Sequence, residues 1–221
     1  MDDSQLRSDI IMHCRAMNAS GLNRGTSGNI SARSAEAMLI TPSATPYDAL
    51  EPAMIARMRL DAETGAADGP LKPSSEWRFH RDILRARPEV GAIVHAHSTY
   101  ATTLAIARRP IPPCHYMIAA FGGDDVRVAD YALFGTQLLS DHVMRALEGR
   151  TACLLANHGM IALGATLAQA MWRAVELEAI ARQFYLSLCI GGPVLLSARE
   201  IAAAHDAFAG YGLPSPAATH G

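Results

Sequence analysis

Short apolar runs alternate along this chain with segments of helical periodicity, and that alternation narrows its fold more than any other feature. Val90 to Val94 is an unbroken apolar and small-residue stretch that leads into His95-Ala96-His97, and the whole of Val90–His97 reads as a strand. Ala152–Ala156 and Met160–Leu163 read as strands on either side of Asn157-His158-Gly159. Ile30–Arg33 and Met38–Thr41 form two more around a polar turn. Between them, Leu6, Ile10, Ile11, Cys14 and Met17 recur at helical spacing over Gln5–Asn18. A short helix is expected at Glu51–Met54. A second long one, capped by Ser74 or Ser75, passes through Trp77, Phe79, Ile83 and Leu84 and stops at Pro88. Ser98 opens another, and the longest runs from about Leu167 to Ile190, broken by Gly191-Gly192-Pro193. Strands interleaved with helices predict an α/β or α+β fold, helices packed on a sheet, in one domain.

The 221 residues suffice for one substantial core, and a chain half hydrophobic with 18% charged residues is ordinary for a globular protein. Net charge is −2 with the basic residues scattered, which argues against a nucleic-acid surface. No stretch approaches the roughly 20 apolar residues of a membrane helix, and from its acidic start no secretory leader is expected. Cys14, Cys114, Cys153 and Cys189 form no C-x-x-C pair. Cys153 and Cys189 lie in apolar runs, where buried reduced thiols are expected, so the expected compartment is a reducing cytoplasm. Residues 212–221, small and proline-containing, are expected to fray.

Four local patterns carry possible chemistry. His95 and His97 stand two apart on a strand, so both rings face the same side and can reach one cation; a structural histidine pair is the alternative. His158 also sits at the end of a buried strand, and three imidazoles from two strand ends suit a catalytic zinc with a position to spare. In Pro73-Ser74-Ser75-Glu76, the serines and Glu76 either cap the helix, or bind an anion while Glu76 faces a metal; spacing alone leaves both open. Gly25-Thr26-Ser27-Gly28-Asn29 lacks the Gly-Lys-Ser/Thr ending of a nucleotide-phosphate loop and leaves a helix rather than a strand. Such a turn can still aim backbone N–H groups at a phosphate, although most are only turns.

Lysine usage bears on mechanism as well. Of 19 basic residues, Lys72 is the only lysine, and it lies in the turn-like Gly69-Pro70-Leu71-Lys72-Pro73. Schiff-base chemistry needs a buried amine, so if carbon–carbon cleavage is the activity, a metal is the better electron sink.

The order of these patterns resembles the class II aldolase and adducin family. The resemblance spans about Leu6 to Leu213 and rests on GLNRGTSGN, MLITPSATPY, KPSSEWRFHRDILRARPEVGAIVHAHS, IPPCHYMIAAFGG, YALFGT, NHGMIALG and YGL. It implies a single-domain, three-layer α/β fold over 1–221 with a mostly antiparallel central sheet flanked by helices. It implies one zinc per subunit on His95, His97, His158 and Glu76, another divalent transition metal being possible, with Glu76 as acid/base once substrate displaces it. Gly28, Asn29, Ser43, Ala44, Ser74 and Ser75 match phosphate-binding positions. Tyr116 matches a catalytic tyrosine that reaches the adjacent subunit's site, and Phe134 and Tyr211 align near the aldehyde end of the substrate. The assembly so implied is a homotetramer with sites between subunits.

The activity implied is reversible cleavage of a ketose 1-phosphate of the L-fuculose 1-phosphate type to dihydroxyacetone phosphate and an aldehyde such as L-lactaldehyde. Alternatives within the resemblance are a 5-deoxyribulose- or methylthioribulose-1-phosphate aldolase, a methylthioribulose-1-phosphate dehydratase, an L-ribulose-5-phosphate 4-epimerase, and a non-catalytic adducin-like scaffold. Ser43-Ala44 departs from the Thr-Gly common in the family. Alanine is less tolerant than glycine of unusual dihedrals, so the phosphate loop is expected to be shaped differently.

Overall fold

A computed structural model describes residues 3–208. Seven strands form one sheet: β1 (Asn29–Ser34), β2 (Ala37–Ile40), β3 (Ala56–Arg59), β4 (Ala92–Ala96), β5 (Val128–Ala129), β6 (Ala152–Leu155) and β7 (Gly159–Gly164). Their spatial order is β3-β2-β1-β4-β7-β6-β5. Every neighbouring pair is antiparallel except β5 with β6. The central strands β4 and β7 are buried along their whole length, as their uncharged composition requires.

The helices α1 (Asp3–Ala19), α3 (Thr99–Ile106) and α5 (Leu167–Leu188) cover one face, sharing a core with Ile30, Val94 and Ala162. On the other face, α2 (Trp77–Ala86) and α4 (Gln137–Ala146) enclose Met38, Ile93 and Ile161. The period-2 alternation of the strands is what sends neighbouring residues to opposite cores. The three-layer arrangement expected from the sequence is therefore the one observed.

Several elements depart from expectation. β3, the two-residue β5, α4 and α6 (Ala198–Phe208) were not legible as regular structure. In β3 the sequence Ala-Arg-Met-Arg hides a half-buried edge strand, because its two arginines lower its apolar content. The N-cap residue of helix α2 is Glu76, which makes no side-chain capping bond; Ser74 stands two residues earlier, its Oγ accepting from Glu76 N at 3.3 Å. Cys153 is buried as expected, whereas Cys189 follows the last turn of α5 and is exposed. Among the described residues, no helix is long and apolar enough to cross a membrane.

Candidate metal centre

At one end of the sheet, the exit of β4, the start of β1, the β6–β7 turn and the start of α2 converge. His95 lies directly opposite Asn29 in the β1–β4 ladder and its ring is fully buried. Its Nδ1 stands 2.9 Å from the Met160 carbonyl oxygen. A carbonyl only accepts, so Nδ1 carries a proton and Nε2 is the atom that faces the cluster. That Nε2 lies 3.0 Å from His97 Nε2 and 3.2 Å from Glu76 Oε2.

His158 arrives on the β6–β7 turn, where Asn157 adopts a left-handed conformation (φ 55°) that asparagine tolerates. Gly159 is needed for the same turn: a Cβ there would stand 2.6 Å from the Ala96 carbonyl oxygen and 2.8 Å from His97 Cδ2. Each pair of the three imidazoles has ring centroids 4.9 Å apart and planes steeply inclined. One nitrogen from each lies within 4.8 Å of the others.

Glu76 completes the group. Ser74 N donates to the Thr41 carbonyl (2.9 Å) and Ser43 N to that of Lys72 (3.0 Å), which binds the approach to α2 against the exit of β2. The Glu76 side chain then turns towards the histidines rather than back to its own helix. Oε2 accepts from Asn29 Nδ2 at 2.9 Å. Oε1 lies 3.2 Å from His158 Nε2 without forming a hydrogen bond to it, and among the described residues this buried oxygen has no hydrogen-bond partner.

Burial by itself would raise the Glu76 pKa. The charge and hydrogen bond of His95 outweigh it and, with His158 and Asn29, hold the carboxyl well below the usual range. Burial, then the charge of His95 and of His158, pushes His97 down to about 3. Burial and the charge of His95 push His158 down to about 4. For His95, burial is outweighed by Glu76, so its affinity for a proton rises. The ionised carboxylate thus meets three imidazoles that favour a single positive charge, and among the described residues no lysine or arginine pairs with it. Three nitrogen donors, one carboxylate and an unpartnered buried oxygen fit a divalent cation.

The centre opens into a cleft of about 410 Å³. Its lining includes the hydroxyl-bearing Thr26, Ser27, Ser43 and Ser75 with Ala44, and also Tyr131, Ala132 and Phe134. Gly135 lets the segment after Phe134 pack against the approach to α2, because a Cβ there would stand 2.7 Å from the Ser75 carbonyl oxygen. Arg78 Nη1 donates to the Gly135 carbonyl at 2.5 Å and holds the approach. Ala44 keeps a left-handed backbone (φ 52°), so the loop retains a glycine-like conformation despite its alanine.

Of the residues expected in the site, Ser43, Ala44, Ser75, Glu76, His97, Phe134 and His158 line the cleft, and His95 stands behind it. Gly28, Asn29 and Ser74 are buried and do not line it. A Cβ on Gly28 would stand 2.7 Å from the His95 carbonyl oxygen, so this glycine lets β1 meet β4. Tyr116 is exposed and stands apart from the cleft, its ring stacked 6.2 Å from that of Phe208. Tyr211 lies outside the described residues. Thr26, Ser27, Tyr131, Ala132 and Asn157 line the cleft without having been singled out. Their signal was present, since Thr26 and Ser27 lie in the glycine-rich run and Tyr131 opens YALFGT.

A family profile described as "Class II Aldolase and Adducin N-terminal domain" matches residues 8–185. The chain belongs to the class II aldolase and adducin family. Its relatives make it an aldolase rather than a scaffold. It is 49% identical over 217 residues to the 5-methylthioribulose-1-phosphate/5-deoxyribulose-1-phosphate aldolase of Rhodospirillum rubrum, covering 96% of this chain and 97% of that one. It is 44% identical over 214 residues to an L-fuculose phosphate aldolase of Escherichia coli, covering 96% and 98%. A solved L-fuculose 1-phosphate aldolase superposes with a TM-score of 0.90 at 37% identity, covering 95% of this chain and 98% of that one. The aldolase thus keeps the fold of metal-dependent lyases together with a histidine cluster able to bind a metal.

Proposed function

We propose that this aldolase splits the C3–C4 bond of a ketose 1-phosphate, releasing dihydroxyacetone phosphate and a short aldehyde. The observation that carries the reading is one cleft joining a three-histidine, one-carboxylate donor set to a wall of hydroxyls. His95, His97, His158 and Glu76 would hold the metal, and zinc suits such a donor set. A divalent ion held there acts as a Lewis acid for the negative charge left on the three-carbon fragment.

The chain's own side chains do the rest. Thr26, Ser27, Ser43 and Ser75 offer hydroxyls to the phosphate, and Ala44 shapes the same wall; Gly28, Asn29 and Ser74 support it from behind. Binding energy gained there is remote from the reacting bond and available for orientation. Glu76 takes the proton from C3 of the three-carbon fragment in synthesis as the carboxylate and, as the protonated acid, returns it to C3 in cleavage, with Oε1 as its free atom. Tyr116 takes the proton of the C4 hydroxyl in the cleft of a neighbouring subunit of a homotetramer. Its exposure and its distance from this chain's own cleft support that reading. Phe134, with Tyr211, faces the aldehyde end.

For the substrate, 5-methylthioribulose 1-phosphate and 5-deoxyribulose 1-phosphate stand first. The Rhodospirillum relative is more similar than the Escherichia one, and the wall of Tyr131, Ala132 and Phe134 suits an apolar tail. L-Fuculose 1-phosphate stands second, supported by the close superposition on an L-fuculose 1-phosphate aldolase. The test is release of dihydroxyacetone phosphate from each sugar by zinc-loaded protein, with and without a chelator. Chelator-sensitive release from at least one is expected. Release from none, or release indifferent to metal removal, defeats the reading.

A further inference from the structure

His80 is a buried titratable side chain that the chemistry above leaves unused. It is the fourth residue of α2, has no exposed surface, and faces β1. Its Nδ1 lies 2.7 Å from Ser31 Oγ and its Nε2 lies 2.5 Å from Asn29 Oδ1. Asn29 Nδ2 in turn lies 2.9 Å from Glu76 Oε2. Ser31 and Asn29, two apart on β1, project to the same face, and both are buried.

The direction of every bond in this chain follows from its last member. An ionised carboxylate only accepts, so Asn29 must offer its NH2 to Glu76 and turn its carbonyl oxygen towards His80. His80 must then donate from Nε2, which leaves a lone pair on Nδ1 to accept the Ser31 hydroxyl. A flipped Asn29 would set its carbonyl against the carboxylate and its NH2 against the imidazole N–H. Both contacts would be repulsive and buried, where unmet polar groups cost most.

We propose that His80 is a positioning residue for Glu76: as the Nε2–H tautomer it locks the Asn29 amide in the orientation that ties down Oε2, leaving Oε1 to meet the substrate proton. The unpartnered state of Oε1 beside Oε2, which accepts from Asn29, is the asymmetry such a lock produces. It also assigns Asn29 a task distinct from phosphate binding, in keeping with its place behind the cleft wall. The inference rests on the acid/base role proposed for Glu76.

The test follows solvent deuterium entering C3 of dihydroxyacetone phosphate by NMR, a step that needs Glu76 and no carbon–carbon cleavage. Zinc-loaded His80→Phe is expected to keep its metal stoichiometry and exchange about 30-fold more slowly, with KM changed less than about threefold. His80→Gln restores an N–H towards Asn29 and a carbonyl oxygen towards Ser31, and is expected within about fivefold of the parent. Exchange at the parental rate in His80→Phe, or equal slowing in His80→Gln, overturns the proposal.

Imidazole 15N spectra give a second readout that needs no turnover, and for the tautomer it needs only the unaltered protein. His80 should be neutral with its proton on Nε2, and Ser31→Ala should shift Nδ1. A proton on Nδ1 overturns the proposal. An unaltered enzyme that exchanges no deuterium defeats the aldolase reading instead, and the tautomer then still decides the His80 assignment.

Discussion

Two hollows of this molecule invite comparison. The cleft at the histidine end measures about 410 Å³, while one between α1 and the β7–α5 turn measures about 500 Å³. The larger has its own ionisable residues, among them Asp9, His13 and Arg33. There, however, Arg33 donates to the carbonyls of Leu84 (2.5 Å), Val90 (3.0 Å) and Arg87 (3.1 Å), and His13 bonds the Asp9 carbonyl at 2.8 Å. In the cleft, Glu76 holds a buried oxygen with no hydrogen-bond partner among the described residues, and imidazole nitrogens face one another. Volume therefore does not mark the working site. Polar atoms that the fold concentrates and leaves unspent mark it, because burying them without a ligand is unfavourable.

The sharpest way to break this comparison is to alter one histidine in each hollow. His95→Ala is expected to abolish metal retention and lower turnover on the order of 10⁴-fold, whereas His13→Ala should leave turnover within about twofold. Metal analysis of the purified variants beside kcat/KM checks both; a parental metal content in His95→Ala would refute the ligand set.

Next in size, Glu76→Gln should lower kcat about 10²–10⁴-fold, the range for loss of an acid/base group. Metal should remain bound through the three histidines. Unchanged kcat in this variant would leave proton transfer to another residue.

Acid sensitivity distinguishes the cleft in a third way. Burial, together with the charge of His95, depresses His80 to about 3; burial and neighbouring histidine charge put His97 at about 3 and His158 at about 4. Their unfolded value is about 6.5, so below it the unfolded chain binds protons that the folded chain refuses. Stability of the metal-free protein should rise with pH across that window and be lost on acidification. Each ring contributes up to about 1.4 kcal/mol per pH unit. His95 has the opposite sign, its share being present below pH 6.5 and lost as pH rises through its elevated folded value. Denaturant unfolding from pH 4 to 7 measures the slope, and a flat or inverted dependence would contradict the burial of these neutral rings.

The smallest effect concerns the hydroxyl wall. Ala44→Gly removes the strain of a left-handed alanine, offset in part by the greater freedom of glycine in the unfolded chain. A gain of about 0.5 kcal/mol is expected, a rise of about 1–2 °C in Tm. A drop in Tm would mean that the alanine methyl packs usefully.

Much of the site was legible before any tertiary contact. The alternation of a strand puts His95 and His97 on one side whatever surrounds them. The uncharged runs of β4, β6 and β7 read as buried strands, and the histidines at their ends were visible as a candidate cluster. Edge pieces such as β3 and β5 were not legible, because a two- to four-residue strand takes its stability from a neighbour rather than from its own pattern.

Local sequence thus determined the class of fold, the histidine pair and the absence of a suitable lysine, because each depends on residue type or on spacing over a few positions. Tertiary structure decided the rest. It turned Glu76 away from capping its own helix and towards His95 and His158. It drew Asn29 across 47 positions to the same carboxylate, and put His80, rather than solvent, behind that amide. It also left Tyr116 outside the cleft of its own chain. Hydrogen bonds between distant segments have no period in the sequence; their direction is set only when the sheet and α2 close on the same buried space.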